Sequence, residues 1–286
     1  MRILVVMLYW YPYEGPLMPI YRASFKDLMA KGHKITIVAS FPHFRKGRPE
    51  TWTEYQGKFF EKTTWESATL IRSYVFGPVF KDDKFALLFR ALNFVSFNIS
   101  CIIAGIFMAG KQDVIFAPSS PPLTNGICAY FIGLVKKIPF IYNVQDLYPD
   151  MAVKLGILKN RAIIRALRLI EDVVYDKARK VVVISEAMKK NLLIKNVEED
   201  KLRIISNFID TDFITPMDKE NEFSTKFDLN SKFVVLYAGN IGLPHGLEFV
   251  VHAAKVLRTH AQILFTFVSR GEYKDKIMRS CEEKGL

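Results

Sequence analysis

A recurring unit constrains this chain more than any other feature: a short apolar run, then a polar or proline-bearing loop, then apolar residues at helical spacing. The runs lie at residues 3–8, 35–39, 113–117, 140–144, 180–184 and 202–206. Runs of this kind suit strands buried on both faces, and their alternation with helices through residue 206 specifies an open parallel α/β sheet. Between the first two runs, Tyr21, Phe25, Leu28 and Met29 share one helical face, and Gly32 stands where a helix-ending glycine belongs. Residues 123–136 read as an apolar helix. Asn160 is placed to cap a helix carrying Ile163, Leu167, Ile170 and Val174, and Ser185 to cap the next one.

In such a sheet, ligands bind outside the carboxyl ends of the strands, so the loops there hold the candidate site residues. After the strand at 140–144 come Gln145, Asp146, Tyr148 and Asp150 around Pro149. Asp146 is the first candidate for chemistry, with helix capping as its competing role. After the strand at 113–117, Ser119 and Ser120 lie among Pro118, Pro121 and Pro122 on a loop stiffened by fixed φ angles, as acceptor-side groups or local caps. The loop at 9–16 carries Glu14 and Gly15 but no G-x-G-x-x-G, which excludes the dinucleotide fingerprint of a dehydrogenase. Glu14 is either a site carboxylate or a solvated loop charge.

Residues 41–67 read as a long connection with a short strand at 58–60, followed by a strand at 68–76. Residues 85–110 are unusual, because Arg90 is their only charge while Asn93, Ser96, Asn98 and Ser100 recur through the first half. Three readings stand for this helix: spanning a bilayer, lying buried in the domain, or dipping one face into the membrane interface. The 40 Lys+Arg against 29 Asp+Glu give a formal charge of +11, which favours anionic partners such as nucleotide diphosphates or anionic lipid. No basic run with interleaved aromatics or finger spacing points to nucleic acid. Cys101, Cys128 and Cys281 are isolated, which suits reduced thiols in a cytoplasmic protein.

Residues 207–230 turn polar and read as a linker. A strand at 233–238, the loop Gly239-Asn240-Ile241-Gly242, a helix at 247–258 and a strand at 263–268 then begin a second α/β domain over 231–286. Backbone N–H groups of Gly239, Asn240 and Gly242, between strand and helix, suit a diphosphate. Asp210-Thr211-Asp212 matches a D-x-D metal pattern but sits in the linker, where ending structure is the simpler role. The five histidines show no H-E-x-x-H spacing, and no G-x-S-x-G elbow nominates a hydrolase. No metal and no cofactor are expected.

Several segments carry a family resemblance: Tyr11-Pro12-Tyr13-Glu14-Gly15, Lys31-Gly32-His33 before a strand, Ser119-Ser120-Pro121-Pro122-Leu123, Gln145-Asp146-Leu147-Tyr148-Pro149, Asn207-Phe208-Ile209-Asp210 and Tyr237-Ala238-Gly239-Asn240-Ile241-Gly242. In order and spacing the chain resembles the family 4 glycosyltransferases of the GT-B fold, and among them bacterial polysaccharide enzymes that include N-acetyl-fucosamine transferases. The resemblance implies a complete N-terminal Rossmann-like domain over 1–206 facing the acceptor, and the first part of a second one over 231–286 holding a nucleotide-diphosphate sugar, UDP-linked by expectation. It further implies a lipid-linked saccharide acceptor and a peripheral position on the cytoplasmic face of a bacterial plasma membrane. The sequence departs from the family at His245, which stands where a cation or amide is usual, so Arg270 and Lys274 are the expected phosphate cations. The family's paired glutamates would lie beyond Leu286, so the chain is expected to be cut short. The alternative is an inactive remnant serving as a membrane-associated binding module.

Overall fold

The computed structural model describes residues 1–43, 55, 57–77, 86–242, 245–269 and 273–286. It divides into two compact units, Met1–Ile209 and Asp210–Leu286. In the first, the described strands are β1 (Arg2–Val6), β2 (Lys34–Ser40), β3 (Phe60–Trp65), β4 (Ala68–Ser73), β5 (Val114–Pro118), β6 (Phe140–Val144), β7 (Lys180–Val183) and β8 (Leu202–Ile204). They form one sheet in the order β3-β4-β2-β1-β5-β6-β7-β8. Every pairing is parallel except β3 with β4. The helices are α1 (Met18–Ala30), α2 (Ala86–Phe107), α3 (Thr124–Lys136), α4 (Asp150–Lys154), α5 (Arg161–Lys177) and α6 (Glu186–Ile194). Asn160 caps α5 by accepting the amides of Ala162 and Ile163, and Ser185 caps α6 through Met188. Gly32 ends α1 at φ 82°, a conformation that costs glycine little.

The strand expected at 58–60 is corrected. It begins at Phe60 and continues to Trp65 through Glu61-Lys62-Thr63-Thr64, pairing Phe60 with Ser73 and Trp65 with Ala68. This polar stretch shows no apolar run because β3 is an edge strand, where charged side chains in water also discourage pairing with other chains.

Alternate positions on β1 feed two cores. Leu4 and Val6 join Ile115, Tyr142 and Val181 beneath α2 and α3, while Val5 and Met7 join Phe25, Ile37 and Leu70 beneath α1. On the α1 side the sheet is only partly covered over β5 to β7. A cavity of about 370 Å³ remains there, floored by Val114, Phe116, Ile141 and Val182.

Helix α2 packs one face into the domain. Phe97, Cys101 and Ala104 are fully buried. Its polar residues serve the chain that leaves β4: Asn93 pairs with both backbone groups of Gly77, Ser96 accepts the Phe76 amide, and Ser100 donates to the Tyr74 carbonyl at 2.6 Å. Among the described residues, no helix is long and apolar enough to cross a membrane. The opposite face of α2 leaves Leu92, Val95, Ile99, Ile103 and Phe107 exposed. Cys101 and Cys128 are buried and free.

In the second unit, α7 (Glu222–Lys226) begins with a capping box between Asn221 and Ser224. Strands β9 (Phe233–Ala238) and β10 (Ile263–Val268) pair in parallel, with α8 (Glu248–Val256) and α9 (Lys274–Glu282) beside a small core of Ile241, Leu247, Val251 and Ile277.

The two faces of α2 differ in what they hold together. Phe97→Ala should lower stability by about 3–5 kcal/mol, as for a buried aromatic truncated to a cavity. Ile99→Ala should stay within about 0.5 kcal/mol, as for a surface change. Urea unfolding distinguishes these outcomes, and equal losses would contradict the packing described.

Candidate functional site

The strand order reverses between β1 and β5: the chain first builds β2 and β4 on one side of β1, then β5 to β8 on the other. Such a switch point opens a crevice at the carboxyl ends of the strands. The loops after β1, β5 and β6 therefore stand side by side, which brings the regions of Glu14 and Gly15, of Ser119 and Ser120, and of Asp146 to one edge of the sheet.

A buried polar network holds that edge. Asn143, in the otherwise apolar β6, accepts through Oδ1 from the Tyr21 hydroxyl at 2.9 Å and from Gln145 Nε2 at 2.8 Å. Its carbonyl accepts the Ser119 amide at 2.8 Å. The Ser119 hydroxyl in turn accepts the Gln145 amide at 2.8 Å, and Gln145 Oε1 accepts from Asn207 Nδ2 at 2.9 Å. Asn125, fully buried at the start of α3, accepts the Leu8 amide and donates to the carbonyls of Pro118 and Ser120. Strand ends β1, β5 and β6 are thus joined through two asparagines and a glutamine. Ser119 is turned inward, while Ser120 is partly open.

Asp146 follows this network and faces solvent over much of its surface. Packed groups still displace water around its carboxyl and push its pKa above the ordinary carboxylate value. No hydrogen bond within the described residues caps a helix with it: α4 starts at Asp150 after Pro149, without a side-chain cap. The far end of the loop is tied down by ions. Lys195 Nζ bonds Asp150 at 2.8 Å and Glu171 at 2.7 Å, and Glu171 is 1% exposed. Burial raises the Glu171 carboxyl, and the lysine offsets this only in part. At Asp150 the cost of burial is outweighed by Lys195 and Arg168, which lower its pKa. These groups line a cavity of about 570 Å³ with Tyr175 and Lys201.

In the first loop, Glu14 accepts from Arg22 at 2.7 Å, and the Arg22 guanidinium lies over the Tyr11 ring. A Cβ on Gly15 would fall 2.5 Å from the Tyr13 ring, so a larger residue here would have to displace that ring.

In the second unit, the Gly239 amide donates to the Val268 carbonyl, continuing the ladder. The Gly242 amide donates to His245 Nδ1 at 3.0 Å. That bond places the proton of a neutral His245 on Nε2, which is then a donor. The Asn240 carbonyl accepts from the Tyr237 hydroxyl. Lys274 opens α9 and lines a cavity of about 310 Å³ with Ile241, Phe267 and Ser269. Arg270 lies outside the described residues. Asp210 uses its carboxylate to accept the amides of Asp212 and Phe213, which accounts for the D-x-D pattern as a turn. Among the described residues, no group of three or more histidine, cysteine or acidic side chains could hold a metal ion.

The sequence gives no signal for a site role of Glu171 or Lys195, marks Tyr21 only as part of a helical face and Asn207 only within a family segment, and leaves Asn125 inside an apolar helix. The detectable signal was a polar residue inside an apolar element, as at Asn143 in β6 and Asn125 in α3. Asn125→Ala should cost about 1–3 kcal/mol for each buried group it orphans. Denaturant unfolding measures the loss, and a neutral result would show that the network does not hold the strand ends.

The sequence profile of Glycosyltransferase Family 4 matches residues 25–213. WbjE of Pseudomonas aeruginosa, named a probable glycosyltransferase, is 26% identical over 78% of this chain and 57% of its own length. WcaI of Escherichia coli (strain K12), named for a glycosyl transferase role in colanic acid biosynthesis, is 22% identical over 91% of this chain and 63% of its own length. The chain thus spans less than two thirds of either relative. Among solved structures, HepE of Anabaena, in complex with UDP and glucose, superposes with a TM-score of 0.60 at 13% identity, covering 100% of this chain and 67% of that one. This likeness identifies the fold as GT-B. Since the profile covers well over half of the sequence, the chain belongs to glycosyltransferase family 4.

Proposed function

We propose that this chain belongs to an enzyme that moves a hexose or amino sugar from a UDP-linked donor to a lipid-linked saccharide, in bacterial surface polysaccharide synthesis at the cytoplasmic face of the plasma membrane. The observation that carries this reading is the placement of Asp146, with its raised pKa, on a pinned loop beside the switch-point crevice. Family membership, the polysaccharide role in WcaI's name and the UDP bound by HepE support it.

In this reading the Met1–Ile209 unit faces the acceptor and the strands of the second unit face the donor. Asp146 takes the proton of the attacking hydroxyl or orients the acceptor, Glu14 and Gly15 approach the transferred sugar or the phosphates, and Ser120 lies on the acceptor side. The bond from the anomeric carbon to the diphosphate breaks as the new glycosidic bond forms, so negative charge grows on the leaving phosphate. Stabilising that charge with fixed donors lowers the barrier most. The Gly239 and Gly242 amides are spent on Val268 and His245, so the groups assigned to it are the Asn240 amide between them, His245 Nε2, Lys274 and Arg270. Asp146 and Glu14 act without a metal.

A second reading, a membrane-associated binding module without turnover, is favoured by the exposed apolar stripe of α2. Calorimetric titration with UDP separates the two. Binding at or below millimolar UDP supports transfer, and no binding there removes the enzymatic reading of this chain. Where turnover is measured, Asp146→Asn should lower kcat/KM by about 10²–10⁴-fold, as for loss of a general base. The base acts ionised, so activity should fall as the pH drops through its folded pKa, and that acid limb should lie above the ordinary aspartate value.

A further inference from the structure

We propose that the outer face of α2 and α3 docks on an anionic membrane surface, with both helices lying in the plane of the interface. The inference deepens the lipid-linked-acceptor reading and rests on it for its purpose, but its test needs neither donor nor acceptor.

The two helices lie side by side on one face of the sheet. They touch where a Cβ on Gly105 would fall 2.4 Å from Ile132 Cδ1, and where Cys128 Sγ meets Asn98 Oδ1 at 3.2 Å. Both precede a parallel strand, so both run from the carboxyl edge of the sheet, where the candidate site lies, towards its amino edge.

On a water-facing helix layer the outer surface is ordinarily charged. Here neither helix contains an acidic residue. The outer stripe of α2 recurs at spacings of three and four residues, ending at Phe107, which is 78% exposed. It covers about 22 Å of helix at about 1.5 Å per residue. Beside it, α3 turns out Phe131, Leu134 and Val135, with Leu134 62% exposed. Adjoining apolar side chains on this scale mark an interaction surface.

Charge selects the partner. Lys111, Lys136 and Lys137 stand at the carboxyl-terminal ends of the two helices, and Lys136 Nζ bonds the Gly110 carbonyl at 2.8 Å, joining those ends. A second copy of the chain would bring the same acid-free face, with no carboxylate on either helix to meet these lysines. Anionic lipid offers both acyl chains for the stripe and phosphates for the lysines.

The experiment is co-sedimentation of the full chain with vesicles of phosphatidylglycerol and phosphatidylcholine, or of phosphatidylcholine alone. The chain should partition at least tenfold more onto the anionic vesicles. Ile99→Glu with Ile103→Glu should lower that partition at least tenfold, and Phe131→Glu on the neighbouring helix should lower it in the same direction. Lys111→Ala with Lys137→Ala should reduce only the anionic preference. Circular dichroism verifies that each variant is folded. As an independent readout, Ile99→Cys in a Cys281→Ser background, labelled with an environment-sensitive fluorophore, should shift to the blue on vesicles, whereas a label at Lys31→Cys, at the end of α1 on the other face of the sheet, should not. Unchanged partition of the folded glutamate variants, or an unshifted Ile99 label, would overturn the proposal. So would a concentration-dependent dimer that the same glutamates abolish. Because no sugar nucleotide is present, failure here leaves the transfer reading to its own titration.

Discussion

Asn143 is the residue on which the rest of the first unit turns. An amide side chain within a strand buried on both faces must find partners, because an unpaired polar group there costs about 1–3 kcal/mol. Its partners come from α1, from the segment after β5 and from Gln145. Gln145 is bonded through its amide, its side-chain nitrogen and its side-chain oxygen. The requirement to satisfy one buried amide therefore fixes the point at which β6 gives way to the loop carrying Asp146. The ions at Asp150, Lys195 and Glu171 fix the loop's other end. Asp146 is held between two anchored points while its own carboxyl stays accessible.

The same economy explains α2. Its length of uncharged sequence suits a membrane span, yet Asn93, Ser96 and Ser100 point at the backbone of residues 74–77, and Phe97, Cys101 and Ala104 are buried against the domain. A helix whose polar groups are spent on its own domain, while its outer stripe remains apolar, reverses the division of an ordinary surface helix, which turns its polar side to water.

The parallel sheet was legible because continuous apolar runs and helical spacing are local signals, and the caps at Asn160 and Ser185 were legible for the same reason. Strand β3 was not, since an edge strand in water carries no apolar periodicity. Asp146 and the first-loop residues are candidates by their position after strands. The residues that position them were not, because Lys195 meets Glu171 and Asn207 meets Gln145 across long sequence separations. The glycine loop after β9 shows the converse: glycines suited to anion binding are visible in sequence, but only the structure places the Gly239 amide in the sheet ladder and the Gly242 amide on His245.

The central claim is that the Asp146 loop is pinned by buried side-chain hydrogen bonds, and amide hydrogen exchange at Gln145 tests it most directly. The Gln145 N–H should exchange orders of magnitude more slowly than in an unstructured peptide, and Ser119→Ala, which removes its acceptor, should speed it selectively while core strand amides such as Val5 are unaffected. Exchange of Gln145 at the unstructured rate in the intact protein would contradict the account, because the loop would then be free of the network said to hold it.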